Sequence, residues 1–300
     1  MAKRKPKSKR PQPQHKKQKK SQHDKRKRLQ CKNPNRKKTK RAKVPLTGAM
    51  QKAVSVLAAV MDRRIAFRLA IVIAGMFLAD GRRTASAWFV ASGVQDDWDR
   101  FYDCLISVGR TSGKLATAVL GLLVQKFAPG LSDRILLGMD DSPTQRYGRH
   151  VEGAGVHHNP TPGPADGEWL YGHNWVALAW LATHPLWGVI AMPLRSMLYV
   201  REVDVPKLAG KHDWEFRTKH QLGVELLTWF MLSIRTLGLE VKVWLVVDGA
   251  YAARPFLLPL LEMGLVVVSR LRKDAYLNDL PPEGSHGNRI YGHNRISLAK

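Results

Sequence analysis

The spacing of hydrophobic positions changes along the chain, and the change falls after Pro129. Between residues 45 and 130, apolar residues recur every three or four positions, as in TGAMQKAVSVLAAVMDRR and AFRLAIVIAGMFLAD. This spacing predicts helices. The longest apolar run, at 69–79, is too short to span a bilayer and predicts a buried helix.

After Pro129 the apolar runs are short and rich in β-branched and aromatic residues, which is typical of strands. RILLGMDD, LYGHNWVALAWLAT and WGVIAMPLRSMLYVRE predict three successive strands. A long helix ending at Gly238, a strand at VKVWLVVDGAY, a helix at ARPFLLPLLEMG and a strand at LVVVSRL follow. This order predicts an α/β fold, a mixed sheet flanked by helices. Trp175, Trp180 and Trp187 are expected in its core.

The helical region contains a candidate helix-turn-helix. GRRTASAWFVASGVQDDWDRFYDCLIS predicts a short helix, a Gly-Val turn and a second helix with Trp98, Phe101 and Leu105 on one face. Arg82 and Arg83 lie just before it and are candidate DNA contacts. A plain helical bundle with solvated arginines explains the same pattern equally well.

A long segment, PTQRYGRHVEGAGVHHNPTPGPADGE, predicts a loop between the first two strands. Loops of this length inside compact domains are often functional. The spacing of its histidines and of the one that follows matches no standard zinc site, so we prefer a loop that covers a substrate. These histidines are His150, His157, His158 and His173.

Charge is concentrated at the N-terminus. Residues 1–44 hold 21 Lys/Arg and a single acid, Asp24, whereas the remaining 256 residues carry a net charge of only +5. This tail has almost no large apolar residues, so it is predicted to be disordered and to bind polyanions through counterion release. A solubilising or targeting tail is the alternative. Cys31 and Cys104 form no disulfide or zinc pattern, and the charged N-terminus shows no secretory signal, which favours a reducing compartment.

Two predicted strands end in carboxylates. LLGMDD ends in Asp140 and Asp141, and WLVVDG carries Asp248. Neighbouring parallel strands would bring these acids together at the carboxyl edge of the sheet. Oxygen ligands without cysteine indicate Mg²⁺ or Mn²⁺, and a pair of such ions can clamp the attacking and leaving oxygens of a phosphodiester. Ordinary capping and turn roles are the alternative.

Several stretches together resemble the DDE-superfamily transposases of bacterial insertion sequences. They are GMDDSPTQRYG, VEGAGVHHNPTPGP, YGHNWVALAW, VVDGAYAARPFL and VVVSRLRKDA, with GRRTASAW in the helical region. The resemblance implies an RNase H-like core, DNA as substrate, cleavage at transposon ends with Mg²⁺ or Mn²⁺, and joining of the freed 3′ hydroxyl to target DNA. It also implies a homo-oligomer on DNA and a cytoplasmic, nucleoid-associated protein without a membrane partner.

The resemblance assigns roles to the acids. The family's first metal-binding Asp is followed by Ser or Thr, which matches Asp141 before Ser142. Asp140, which faces the other side of a strand that runs through both, is the alternative. The second metal-binding acid is Asp248.

The family's third acid, a Glu on a later helix, has no counterpart in the pattern. The nearest glutamate is Glu283, between two loop-forming residues. The chain therefore looks C-terminally truncated relative to the family, and we expect DNA affinity without cutting or joining by this chain alone. The basic residues at the end of the last strand are predicted phosphate contacts, and surface solvation explains them equally well. Two residues at the start of the long helix are weaker candidates. The residues are Arg270, Arg272 and Lys273 on the strand, and Arg217 and Lys219 on the helix.

These patterns predict three domains: a disordered basic tail at 1–44, a helical and possibly DNA-binding domain at 45–130, and an RNase H-like catalytic domain at 131–300. Two rival functions remain. One is a stand-alone RNase H-like nuclease that acts on hybrids or junctions. The other is a non-catalytic nucleic-acid binder whose acids are structural.

Overall fold

Helices fill the first part of the computed structural model, which describes residues 47–127, 130, 133–148, 150–159, 162–163, 167–271, 277–284 and 290–296. The predicted basic tail lies outside these residues. Five helices precede the sheet in the described part: α1 (Gly48–Ala59), α2 (Arg63–Leu78), α3 (Ala85–Ala91), α4 (Trp98–Arg110) and α5 (Ser112–Phe127). No helix among the described residues is long and apolar enough to cross a membrane.

A six-stranded mixed sheet follows. Its strands are β1 (Arg134–Gln145), β2 (Gly155–His158), β3 (Trp169–His184), β4 (Gly188–Tyr199), β5 (Lys242–Val247) and β6 (Val266–Ser269). The order is β2-β3-β1-β5-β6, with β4 paired to β3; β1 is antiparallel to β3 and parallel to β5. A 3₁₀ helix (Glu202–Leu208) and α6 (Lys219–Thr236) connect β4 to β5, and α7 (Arg254–Glu262) connects β5 to β6. A short pair, β7 (Leu277–Asn278) with β8 (Arg295–Ile296), lies apart from the sheet. The predicted fold class is confirmed.

The first strand does not end at the aspartates, as its apolar run had suggested. Antiparallel pairing with β3 carries β1 on to Gln145, opposite Gly172. The predicted loop after it is therefore shorter, and β2 forms within it against the start of β3. The period-2 burial of β1 extends to Met139, after which polar residues continue the strand through pairing with β3 rather than through apolar burial.

Trp187 is also not in the core. It lies at the turn between β3 and β4, where its side chain is 72% exposed and stacks on His184 at 4.4 Å between ring centroids. Trp180 is buried, as expected, and Trp175 is half-buried. Strand composition alone did not separate the turn of this hairpin from its strands.

One hydrophobic core joins the sheet to helices before and after it. β1 contributes alternate residues, and α6 contributes residues spaced by about one turn, as its amphipathic pattern predicts. α5 joins this core although it precedes residue 131. The core includes Leu120, Val124, Ile135, Leu137, Met139, Trp180, Leu222, Leu226, Phe230, Leu245, Phe256 and Leu260.

Contacts divide the chain into two compact units. Among the described residues, one unit contains 74–98, and the other contains 47–73 and 99 onward. The sheet and its acids belong wholly to the second unit. The three-domain division suggested by the sequence stays a prediction.

Replacing Leu137 with Ala should destabilise the sheet unit. Leu137 is fully buried on β1, so its loss leaves a cavity at the centre of the core. We expect a loss of about 2–5 kcal/mol in the free energy of unfolding, measured by urea denaturation. Leu258→Ala on α7, where the side chain is 47% exposed, is the matched control and should change that free energy by about 0.5 kcal/mol or less. Equal effects of the two substitutions would contradict this account of the core.

Candidate active site

The acids of the first and fifth strands meet because these strands are parallel neighbours. The register of β1 and β5 ends with Gly138 opposite Val246. Asp140 and Asp248 are each two residues beyond this pair, where β5 gives way to a 3₁₀ turn (Gly249–Tyr251). The predicted parallel arrangement of the two acid-bearing strands is confirmed. It places Asp140 and Asp248 at the same edge of the sheet.

Asp141 faces the opposite side of β1 from Asp140, because the strand runs through both residues. Its carboxylate lies toward α6, where Lys219 Nζ is 2.5 Å from Asp141 Oδ2. The Asn174 side chain on β3 donates to the same oxygen at 3.1 Å. The Asp141 side chain is 21% exposed, so this ion pair is partly shielded from water. Two donors thus hold one carboxylate oxygen in place.

Local sequence explains why α6 begins over Asp141. Thr218 and Gln221 form a reciprocal capping box that fixes the first turn of the helix. One turn after Lys219, Gly223 faces Phe256 of α7 and Met139 of β1, and a Cβ built on Gly223 would lie 2.8 Å from Phe256 Cε2 and 3.0 Å from Met139 Cε. The absence of a side chain there lets α6 pack closely against both side chains. Because Met139 and Asp141 share a face of β1, this approach brings Lys219 within reach of Asp141.

Asp248 is held by its backbone and its side chain. Its Oδ1 accepts the Ala250 N–H at 3.0 Å, which caps the 3₁₀ turn. At the end of β6, the Ser269 hydroxyl donates to the Asp248 carbonyl oxygen at 2.8 Å. From α6, His220 Nε2 lies 3.0 Å from the Ala250 carbonyl oxygen, within hydrogen-bonding distance. Residues of α6 and β6 therefore fix the loop that presents Asp248.

The site carries closely spaced negative charges. Burial raises the pKa of the Asp140 carboxyl, and the charges of Asp141 and Asp248 raise it further. Burial also raises the pKa of Tyr251, followed by the charges of the same three aspartates. The three carboxylates therefore act on one buried hydroxyl, and a cation among them would relieve their repulsion.

The residues present fit a divalent cation bound with few protein ligands. Among the described residues, no three His, Cys, Asp or Glu side chains converge as a complete metal shell. Mg²⁺ commonly uses one or two carboxylates and fills its other positions with water and substrate phosphate. Tyr251 OH and Asn174 Oδ1 are buried atoms beside the aspartates with no hydrogen-bond partner in the described structure. Such atoms are suited to contact the water shell of an ion.

His173, which lies on β3, hydrogen-bonds within the protein through both of its ring nitrogens. His173 Nδ1 accepts from the Arg146 guanidinium at 3.1 Å, and its Nε2 lies 2.8 Å from the Glu152 carbonyl oxygen. Both ring nitrogens are thus engaged. The Lys211 and His212 side chains hydrogen-bond to the Glu152 carboxylate and lower its pKa to about 2. These contacts tie the connection to the segment before α6.

The predicted phosphate contacts are only partly described. Arg270 is exposed and directly follows Ser269, the residue bonded to the Asp248 carbonyl. Arg272 and Lys273 lie outside the described residues. Arg217 pairs with Glu225 of α6 at 2.6 Å. Glu283 is exposed in a turn, and the described residues give it no place among the aspartates.

The elements of the candidate helix-turn-helix are present as α3 and α4. Thr84 caps α3 through its hydroxyl, and Arg82 and Arg83 precede it with both residues exposed. On α4, Phe101 and Cys104 form the buried face. The DNA contact of this segment stays a prediction.

The aspartates carry a clear signal in the sequence, whereas the residues that surround them do not. Asn174 lay in a quoted stretch, YGHNWVALAW, without a role, and Tyr251 followed Asp248 in VVDGAY. Lys219 ranked only as a weak phosphate contact. The signal that could have found these residues is a polar side chain at the end of a strand or helix, because a buried polar group needs a hydrogen-bond partner.

Comparison with known proteins gives one family. The sequence model of the family described as DDE superfamily endonuclease matches residues 56–298, which include β1 to β8, all three aspartates and α6. No curated protein and no solved structure shows a significant match to the chain. The match covers more than half of the chain.

Proposed function

Because the chain belongs to the DDE superfamily of endonucleases, we propose that it is the transposase of a bacterial insertion sequence. In this proposal it cleaves DNA at the transposon ends and joins the freed ends to target DNA, with Mg²⁺ or Mn²⁺ as cofactor. One observation carries the proposal: the parallel register of β1 and β5 gathers the aspartates at one sheet edge.

Asp141 and Asp248 hold the cation in this proposal, and Asp140 is the alternative to Asp141. Asp141 is preferred because it directly precedes Ser142, as in the family, and because Asn174 orients its carboxylate. The strand register favours the alternative, since Asp140 is the residue in register with Asp248. When bound, a divalent cation supplies positive charge at the phosphodiester oxygens on which charge develops. The protein contributes the fixed directions of its two carboxylates.

A basic residue completes the substrate side of the proposal. Arg270 lies next to the loop of Asp248. Its side chain is exposed, so it can contact a phosphate of the DNA backbone. Glu283 does not supply a third acid in the described structure.

The test of transposase identity is preference for particular DNA ends. The full chain is titrated with duplexes from the borders of its own coding element and with scrambled duplexes of equal length, in Mn²⁺. We expect border DNA to compete at least tenfold better, about 1.4 kcal/mol. Equal competition would overturn the transposase assignment, and selective cutting of an RNA–DNA hybrid would favour the stand-alone nuclease.

Arg82 and Arg83 provide a prediction for the helical segment. If they contact phosphates, the Arg82→Gln/Arg83→Gln double variant should reduce the salt slope of DNA binding by about two, measured by fluorescence anisotropy between 50 and 200 mM salt. Arg235→Gln, an exposed arginine at the end of α6, is the control. An unchanged salt slope in the double variant would mean that these two arginines are solvated and do not contact DNA phosphates.

The proposal includes assembly and location. Two transposon ends must be brought together for transposition, so we propose a homo-oligomer on DNA in the bacterial cytoplasm, associated with the nucleoid. Light scattering of the full chain with and without border DNA measures the first part. If the only complex formed contained one chain bound to one DNA duplex, the proposed homo-oligomer would be contradicted.

A further inference from the structure

Lys219 occupies an electrostatically unfavourable position for its helix. It is the first residue of α6, where the helix dipole presents positive charge, and the first turn contains no acid to offset it. Lysine at this position therefore opposes the dipole. The compensation comes from outside the helix, from Asp141 at 2.5 Å and from the Tyr199 ring at 5.5 Å. These contacts indicate that the charge serves the acidic site.

The charges around Asp141 indicate how Lys219 affects metal binding. Three aspartates lie at this edge of the sheet, and Lys219 is the cation paired with Asp141 among the described residues. Its ammonium group contacts the same oxygen, Oδ2, that Asn174 orients. A metal ion approaching that oxygen meets a positive charge already there.

We propose that Lys219 is a built-in counter-ion that competes with the divalent cation for Asp141 and then moves onto a phosphate of the bound DNA. This inference rests on the proposed metal site. Lys219 is a positioning residue in this account, since it acts on the cation through Asp141. Without metal it neutralises Asp141, and with metal it is released.

The side chain has the reach and the freedom for this exchange. Lys219 is 35% exposed, and its stem has four flexible carbons that need not disturb the helix when the head group turns. A compact ammonium with three donors binds phosphate as a point charge. A DNA phosphate bound at this site would offer the Lys219 ammonium group an anion in place of Asp141.

The experiment measures Mn²⁺ affinity of the full chain without DNA, by titration calorimetry or by the electron paramagnetic resonance of free Mn²⁺. In Lys219→Gln we expect Mn²⁺ to bind about tenfold more tightly, because the competing charge is gone. In Lys219→Arg the affinity should stay near that of the unchanged chain. Affinity for DNA in the presence of Mn²⁺ should fall severalfold in Lys219→Gln and recover in Lys219→Arg.

A matched control and a second readout separate this role from a structural one. Lys211→Gln removes another lysine–carboxylate pair, with Glu152 at 2.7 Å, and should leave Mn²⁺ affinity unchanged. If Lys219 only held Asp141 in place, its loss would loosen the ligand and weaken Mn²⁺ binding, which is the opposite sign. Thermal unfolding of each variant shows that the fold is retained.

The outcomes of the two proposals are distinct. Weakened Mn²⁺ binding in Asp248→Asn together with tighter binding in Lys219→Gln supports both. Weakened binding in Asp248→Asn with unchanged or weaker binding in Lys219→Gln overturns the role of Lys219 and keeps the metal site. Unchanged Mn²⁺ binding in Asp248→Asn and Asp141→Asn removes the metal site, and the role of Lys219 fails with it.

Discussion

Replacing Asp248 with Asn is expected to weaken Mn²⁺ binding on the order of 100-fold, since even groups outside the direct ligand set cost ten- to a hundredfold when removed. Asn keeps the size and the capping oxygen of Asp248, so the bond from Ala250 N–H can persist. The loss then reports the missing charge rather than a collapsed turn. Titration calorimetry of the full chain gives the affinity, and circular dichroism verifies the fold.

Controls within the same experiment decide which acid of β1 binds the ion. Asp141→Asn should lower affinity about as much as Asp248→Asn, whereas Asp140→Asn should have a smaller effect. The reverse order would transfer the role to Asp140, whose register matches that of Asp248. Glu283→Gln, on an exposed turn, should leave affinity unchanged. Full Mn²⁺ affinity in all of the aspartate variants would contradict a carboxylate metal site.

The sequence predicted the sheet well because its strands have strong local signals. Buried parallel strands read as apolar runs, and β5 with its following Asp248 is such a run. The end of β1 could not be predicted, because beyond Met139 the strand is held by pairing with β3 rather than by apolar burial. Pairing partners lie far away in the sequence, so local composition does not record them.

The acids of the site were predictable and their neighbours were not, for a related reason. Asp141 follows an apolar run, which marks it without any knowledge of the fold. Lys219 is 78 residues farther along the chain and reaches Asp141 where α6 packs against β1 near Gly223. That close approach is a property of tertiary packing. The sequence therefore predicts which charged residues matter, but it does not predict that Lys219 forms an ion pair with Asp141.

Removal of residues 1–44 is expected to reduce non-specific DNA affinity on the order of a thousandfold at 50 mM salt. This segment carries 21 of the 49 Lys/Arg residues of the chain, and the rest of the chain is only mildly basic. Six to ten phosphate contacts change affinity by roughly 10³ to 10⁵ between 50 and 200 mM salt, so a basic segment of this charge dominates the electrostatic term. The measurement is fluorescence anisotropy with a scrambled duplex across that salt range.

A charge-matched comparison separates electrostatics from length. A full-length variant with every Lys and Arg of residues 1–44 replaced by Gln should behave like the deletion, because counterion release depends on charge and not on chain length. Mn²⁺ affinity should be unchanged in both variants, since Asp141 and Asp248 lie in the sheet unit. If either variant kept the steep salt dependence, the electrostatic contacts to DNA would have to come from residues after position 44. Arg82, Arg83 and Arg270 would then be the residues to test for it.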